Sequence, residues 1–533
     1  MGAASVDGPN GELIQSTGAM FGRFSAELLP QLGEWERQLL EDPGQLEIVE
    51  RDVQQAFLRG AGLMIAGLVS VTMQSPKLLD AAEQTRQDFS QPLEKGRERR
   101  ISVNVLGGVV MWVTSLYCQA RRSPSESTDQ AGFGVYTELV RFGFGKKVSP
   151  ALESKVARQA ALCPSFGLAH AELCRDGLNL DIKAVRRIAR QCGDELLKLR
   201  TTQLEQWREG TLSSTNELAG ERVSVQIDGG RTKIRGDLTE PTPVPVNLNE
   251  FGLDASDASG RSKSRPQRSF SADWREPKLL TIFVHDEKGR MQKKSQATID
   301  GTFRGPDATA ELVAMHLHRL GAAKAKSITF VSDGAVWIWD RLDSIVQQVG
   351  IPDSVSIHQV LDNCHAVHHV SLALATMSLD QDIRMPLYRD MRTRLRNGRW
   401  RSVVADLQEL ANDDSTNTQL LTEIAYLRRH GEAGRLAYTS FRGLGLPLGS
   451  GAIESSIRRV INLRLKGNGI FWKETAAESM LQLRALVISN RWDDRLTQMR
   501  SHKRRTHRPD WNWTPQSMTR KSEDPSKSSQ TPA

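Results

Sequence analysis

From Val223 onward, apolar and polar positions alternate in short runs that read as strands, separated by runs of helical spacing. VSVQIDGG (Val223 to Gly230) is the first strand, LLTIFVHD (Leu279 to Asp286) a second and SQATIDGTF (Ser295 to Phe303) a third, with EKGR turning between the last two. ATAELVAMHLHRLGAAKA follows as an amphipathic helix, ITFVSDGA (Ile328 to Ala335) as a strand, WIWDRLDSIVQQVG as a helix and VSIHQVLD (Val355 to Asp362) as a strand. This succession predicts an α/β domain of RNase H-like topology. Three strands form an antiparallel meander, and two more run parallel to the first in a mixed five-stranded sheet of order 3-2-1-4-5.

The flanking pattern is mostly helical. Residues 1–20 have little periodicity and read as a flexible N-terminus. Residues 21–147 form a helical module interrupted by RRISVNVLGGVVMWVTSLYCQARR, whose alternation around Gly107-Gly108 reads as a β-hairpin. Within 148–215, two short helices break at Asp176-Gly177, and the second carries Lys183, Arg186, Arg187 and Arg190. That is the layout of a helix-turn-helix entering a major groove, and equally of a helical hairpin with a solvated basic face. The catalytic-type domain spans 221–365 and resumes at 444–497. Thr239 to Ser271, rich in Pro, Ser and Asn, reads as a flexible insert between its first two strands, and 366–443 as an all-helical insertion. Residues 498–533 read as a basic disordered tail.

Charge adds a direction to this outline. Lys and Arg outnumber Asp and Glu by 71 to 63, a net charge of +8 that raises the expectation of a polyanionic partner. Five cysteines without a CxxC pair indicate neither a disulfide framework nor a ribbon-type zinc site. The apolar run Ala61 to Met73 falls short of the roughly 20 residues of a membrane span. A cytoplasmic, nucleoid-associated protein that engages no membrane is the expectation.

Asp228 ends the first strand and Asp333 the fourth, each before glycine. In the expected topology these strands are parallel neighbours about 5 Å apart, so both carboxylates can face one cation. Two acidic groups so close repel unless a cation neutralises them, and Mg²⁺ favours such oxygen ligands. A third carboxylate is expected from elsewhere. GLPLGSGAIES offers Glu454 near the start of a helix capped by Ser450, with Ile453, Ile457, Val460 and Ile461 on one face. Asp300, Asp340, Glu474 and Glu478 compete with it. Cys364, His365, His368 and His369 suggest a helical metal site as well, although metal-free helix histidines are common.

IDGGR, DWREPKLLTIF, FVSDGAVWIWD, LDNCHAVHHV, LPLGSGAIES, RLKGNGIFW and LQLRALVISNRWDD resemble, in order, blocks of bacterial insertion-sequence transposases of the group named after the Kra element. The resemblance runs roughly from Ser149 to Leu496. It implies that Asp228, Asp333 and Glu454 are the catalytic Asp, Asp and Glu, holding two Mg²⁺ or Mn²⁺ ions. It also implies that Asp362 and His365 form an accompanying acidic-x-x-His element near the scissile phosphate. Arg458, Arg459, Arg464 and Lys466 become candidate phosphate contacts, and Trp472 a platform for a flipped base, with core packing as its other reading.

The implied activity is metal-dependent cleavage and strand transfer of an insertion sequence. The implied partners are double-stranded DNA (transposon ends and target) and further copies of the chain assembled on it. Two other readings keep parts of this picture: a structure-selective nuclease on the same fold, and a non-catalytic helix-turn-helix protein derived from a transposase.

Overall fold

The computed structural model describes residues 4–506 other than 9, 12, 88–92, 121–133, 146, 238–269, 378 and 412–416. The fold is mixed α/β, and the chain divides into two compact units. One is drawn from the chain up to Ala160, Phe166–Ala189 and the helical end beyond Leu496; the other from Ala161–Ser165 and Arg190–Arg495.

The first unit is built on β1 (Ala4–Val6), α1 (Thr17–Glu41), α2 (Leu46–Met73), α3 (Pro76–Gln87), β2 (Leu93–Asn104), β3 (Val110–Ala120), β4 (Gly134–Tyr136) and α4 (Thr137–Phe142). It continues through α5 (Pro150–Leu162), α6 (Phe166–Arg175) and the start of α7 (Ile182–Arg208). β2 and β3 form the expected hairpin. Its turn needs glycine: Gly107 and Gly108 have φ of +89° and +74°, and a Cβ on Gly107 would meet the Leu58 carbonyl at 2.3 Å. The N-terminus departs from expectation, because Ala4–Val6 pairs antiparallel with β3, Ala4 opposite Val113, and is buried. α2 also departs from it. At 28 residues it belongs to a segment long and apolar enough to cross a membrane, yet Leu63, Ala66 and Met73 pack with Met111 and Val113 in this unit's core.

The second unit contains a five-stranded sheet. Its elements are β5 (Arg222–Gly229), β6 (Thr232–Asp237), β7 (Phe270–Arg275), β8 (Lys278–Val284), β9 (Thr298–Thr302), α8 (Pro306–Leu320), β10 (Ser327–Ser332), α9 (Val336–Trp339), α10 (Leu342–Val349) and β11 (Ser356–Leu361). α11 (Asn363–Ala375), α12 (Gln381–Arg396), α13 (Trp400–Ala411), α14 (Thr418–Glu432), α15 (Tyr438–Gly443), α16 (Gly451–Ile457) and α17 (Glu474–Ile488) follow; α18 (Trp492–Thr506), which begins in this unit and from Leu496 belongs to the first, is the last described helix. The five-stranded sheet runs β11-β10-β5-β8-β9, with β5 parallel to β10, β10 parallel to β11, and β5, β8 and β9 antiparallel to one another in turn.

β5 sits in the middle, which explains why its alternation is unequal in chemistry and equal in burial. Val223, Val225 and Ile227 join a core with Leu312, Met315 and Phe330, while Ser224 and Gln226 on the other face are equally buried. Between β11 and α16 the regular elements among the described residues are the helices α11 to α15.

Two further differences concern boundaries. Phe270 and Ser271, read as the end of a flexible insert, belong to β7, which pairs with β6 in a separate two-stranded ribbon; 238–269 lie outside the described residues. The stretch read as a tail from 498 begins inside α18, where Met499 is buried, and 507–533 lie outside the described residues.

Candidate active site

Three parallel strands end in one row of aspartates. Ile227, Ser332 and Leu361 are register partners across β5, β10 and β11, so Asp228, Asp333 and Asp362 follow them side by side at the same edge. Neighbouring strands are about 4.8 Å apart, which sets the spacing of the row. The Asp362 N–H extends the ladder by donating to the Ser332 carbonyl at 2.9 Å.

The three carboxylates have different surroundings. Asp228 is half-buried and its Oδ1 accepts the Gly229 N–H at 2.6 Å. Asp333 Oδ1 accepts the Ala335 N–H at 3.1 Å. Asp362 is 1% exposed and committed at both oxygens: Oδ1 accepts from the N–H groups of Cys364 (2.5 Å) and His365 (3.0 Å), capping α11, and Oδ2 accepts the Ser450 N–H. These bonds tie the start of α11 to the loop before α16, and the Asp362 pKa is held well below the usual range. Burial opposes this, while His365 and Ser450 overcome it.

The tie brings in Glu454 on α16, which is exposed at the mouth of the site. Ser450 stands at the N-cap position but does not cap with its side chain; its hydroxyl donates to Glu454 Oε1 at 3.1 Å. The start of α16 is held instead by Gln226, 1% exposed on β5. Its Oε1 accepts the Ile453 N–H at 3.0 Å and its Nε2 donates to the Gly449 carbonyl at 3.1 Å. Gln226 went unnoticed in the sequence; its one signal was an amide on a buried strand two residues before Asp228. Ile453, Ile457, Val460 and Ile461 are buried as expected, and the helix widens into a π turn over Arg458–Asn462.

Asp362, His365 and Glu454 each offer a ligand atom within 4.8 Å of the others. His365 Nδ1 lies 3.6 Å from Asp362 Oδ1, and that carboxylate raises the imidazole pKa against burial, with Asp333 and Asp228 adding to it. Asp228 is pushed up to about 6, first by burial and then by the nearby charges of Asp333 and Glu454. A buried carboxylate beside other acidic groups is costly to ionise, and a bound cation would offset that cost.

Of the competing carboxylates, Asp300, Glu474 and Glu478 have basic partners elsewhere. Arg200 is buried and pairs with Asp300 at 2.9 Å and Glu478 at 2.6 Å; Asp300 also meets His316 Nε2 at 2.8 Å. Asp300 is therefore a charge partner inside β9, not the turn-forming residue its Asp-Gly pair suggested. Glu474 lies 3.9 Å from Arg275, and Asp340 is exposed beyond α9. Of the Cys364, His365, His368 and His369 set, His369 is taken up by Glu423 and stacks on Tyr426, centroids 3.6 Å apart. Tyr426 in turn packs on Gly334, where a Cβ would come within 2.0 Å of its ring. The helical insertion thus supports the Asp333 end of the sheet.

The candidate DNA contacts divide. Lys183, Arg186, Arg187 and Arg190 are all exposed on α7, as are Arg458, Arg459 and Lys466 after α16. Arg464 and Trp472 are not available in this form: Arg464 is 2% exposed, and Trp472 is 8% exposed with its indole N–H donating to the Leu465 carbonyl at 3.0 Å. Trp472 also exchanges backbone hydrogen bonds with β6, through Lys233 and Arg235. It packs inside the unit, so it is not a stacking platform.

Comparison of the chain with protein-family models, with curated proteins and with solved structures returns no match.

Proposed function

We propose that this chain is a DNA transposase on an RNase H-like core, with Asp228, Asp333 and Glu454 as its metal ligands and insertion-sequence ends and target DNA as its substrates. The observation that carries the reading is the division of labour among the carboxylate oxygens. Asp228, Asp333 and Glu454 each spend one oxygen on an internal hydrogen bond, and among the described residues the second oxygen of each has no protein partner. Hard oxygen donors each steadied by one local hydrogen bond and left open on one side suit Mg²⁺ or Mn²⁺. Two such ions, when bound, supply Lewis-acid polarisation of the phosphodiester and lower the pKa of a coordinated water or hydroxyl.

The chain's own contribution is positional. Gln226 and Asp362 hold the Gly449–Ile453 segment, and with it Glu454, against the edge formed by β5 and β10. His365, kept protonated more readily by Asp362, offers a cationic donor to a phosphate oxygen. The sheet order and the helical insertion before α16 agree with this class. Hydrolysis at the element's end leaves a 3′-hydroxyl, which then attacks target DNA without a covalent enzyme intermediate. The exposed basic face of α7 is the proposed grip on duplex ends, copies of the chain assemble on the DNA, and the setting is the cytoplasm.

The test is Mg²⁺-dependent cleavage of DNA carrying the element's ends. Asp228→Asn, Asp333→Asn and Glu454→Gln are each expected to abolish cleavage while end binding stays near wild type. Wild-type cleavage by either aspartate variant refutes the assignment.

A further inference from the structure

The ribbon of β6 and β7 springs from the active-site edge, since Thr232 follows just after Asp228, and Lys278, just beyond β7, pairs with Gly229. Strand alternation places Lys233, Arg235, Phe270 and Trp274 on one face, with Lys233 directly opposite Trp274 and Arg235 opposite Ala272. Trp274 is 51% exposed. Two ammonium groups lie over its ring, Lys233 Nζ at 5.1 Å and Lys466 Nζ at 5.8 Å from the centroid. Arg235 lies over Phe270 at 5.6 Å, and Phe270 meets Phe471 edge-on at 5.4 Å.

A folding role explains the half-buried members of this group, Lys233, Phe270 and Phe471, and leaves Trp274 unexplained. An indole half open to water contributes less burial than any core position, and exposed cation–π pairs are worth only about 0.5–1 kcal/mol. Aromatic faces interleaved with cations are what an unpaired nucleic-acid strand requires. Bases stack on the rings, and phosphates are neutralised by the ammonium and guanidinium groups alongside.

We infer that the β6–β7 ribbon binds an unpaired DNA strand beside the carboxylate site, with a nucleobase stacked on Trp274 and the adjoining phosphates held by Lys233, Arg235 and Lys466. This rests on the reading of the site as a DNA-cleaving centre, and gives it a means of holding a strand that has left the duplex. The stacking platform sought at Trp472 is supplied by Trp274 instead.

The experiment uses the full chain and a thymidine oligonucleotide carrying a single 2-aminopurine, whose fluorescence is quenched on stacking. Wild type is expected to quench it. Trp274→Ala should abolish the quenching and weaken single-strand binding by about 5- to 150-fold, the range for one stacked base. Trp274→Phe should restore most of both, and duplex affinity should change little in either variant. Lys233→Gln with Lys466→Gln should reduce the slope of log affinity against log salt by about 0.7 per lost phosphate contact.

Equal quenching by wild type and Trp274→Ala overturns the proposal, as does an equal loss of duplex and single-strand affinity. The aspartate variants separate this from the catalytic reading. If wild type cleaves with Mg²⁺ and Asp228→Asn does not, while Trp274→Ala quenches normally, the ribbon proposal alone fails. If Trp274 governs quenching but no cleavage occurs with Mg²⁺, the catalytic reading alone fails.

Discussion

Replacing Gln226 by Leu isolates what holds Glu454 in place. Gln226 is 1% exposed, and its amide satisfies two backbone groups of the α16 approach, the Gly449 carbonyl at 3.1 Å and the Ile453 N–H at 3.0 Å. Leucine has a similar volume and no polar atoms, so the buried Ile453 N–H and the half-buried Gly449 carbonyl both lose their partner. Each orphan costs about 1–3 kcal/mol, and the added apolar burial offsets part of the sum, leaving a net local cost of about 2–4 kcal/mol.

Because the affected groups lie on one segment, the cost should appear as local opening, with amide hydrogen exchange across 449–457 accelerating by about 30- to 900-fold. Glu454 would then be held less firmly at the strand edge, and on the proposed function more Mg²⁺ would be needed for half-maximal cleavage. Gln226→Glu keeps the acceptor for Ile453 and loses the donor to Gly449, so its exchange should fall between those of wild type and Gln226→Leu. Unchanged protection of 449–457 together with an unchanged Mg²⁺ requirement in Gln226→Leu would refute the positioning role.

Two further predictions concern the buried charges. Glu478→Gln leaves the Arg200 guanidinium with half its compensation and should cost about 3–5 kcal/mol of stability, read as a lower denaturant midpoint. Its cleavage rate per folded molecule should stay near wild type, whereas Glu454→Gln should do the reverse; loss of cleavage by fully folded Glu478→Gln would refute the distinction. His316 should make the fold acid-sensitive. Burial, with Arg319 and Arg495 nearby, lowers its pKa from 6.5 to about 4 despite the Asp300 contact, so the native state keeps it neutral. The unfolded chain binds the extra proton between those values. Stability is therefore complete above pH 6.5 and declines as pH falls toward 4, by about 3 kcal/mol in all. A denaturation midpoint that does not fall between pH 7 and pH 5 would contradict this.

How much of this protein was legible in one dimension depends on the range of the interaction. The strand runs around Asp228, Asp333 and Asp362 coincide with β5, β10 and β11, since alternation is a relation between residues two apart and survives in any strand buried on one or both faces. Helices within 366–443 and the apolar face of α16 were readable for the same reason at helical spacing.

Polar partnerships were not readable, because they join residues that only the packed chain brings together. Gln226 meets Gly449 and Ile453, Asp362 meets Ser450, and Arg200 meets Asp300 and Glu478. Nothing in the local sequence of Asp362 distinguishes a free acid from one saturated by three N–H groups. Nor does anything around Trp472 and Trp274 say which indole faces water. Sequence by itself determined where the carboxylates stand along the strands; tertiary structure decided which of their oxygens are left open, because hydrogen-bond capacity is consumed by whatever neighbours the fold delivers.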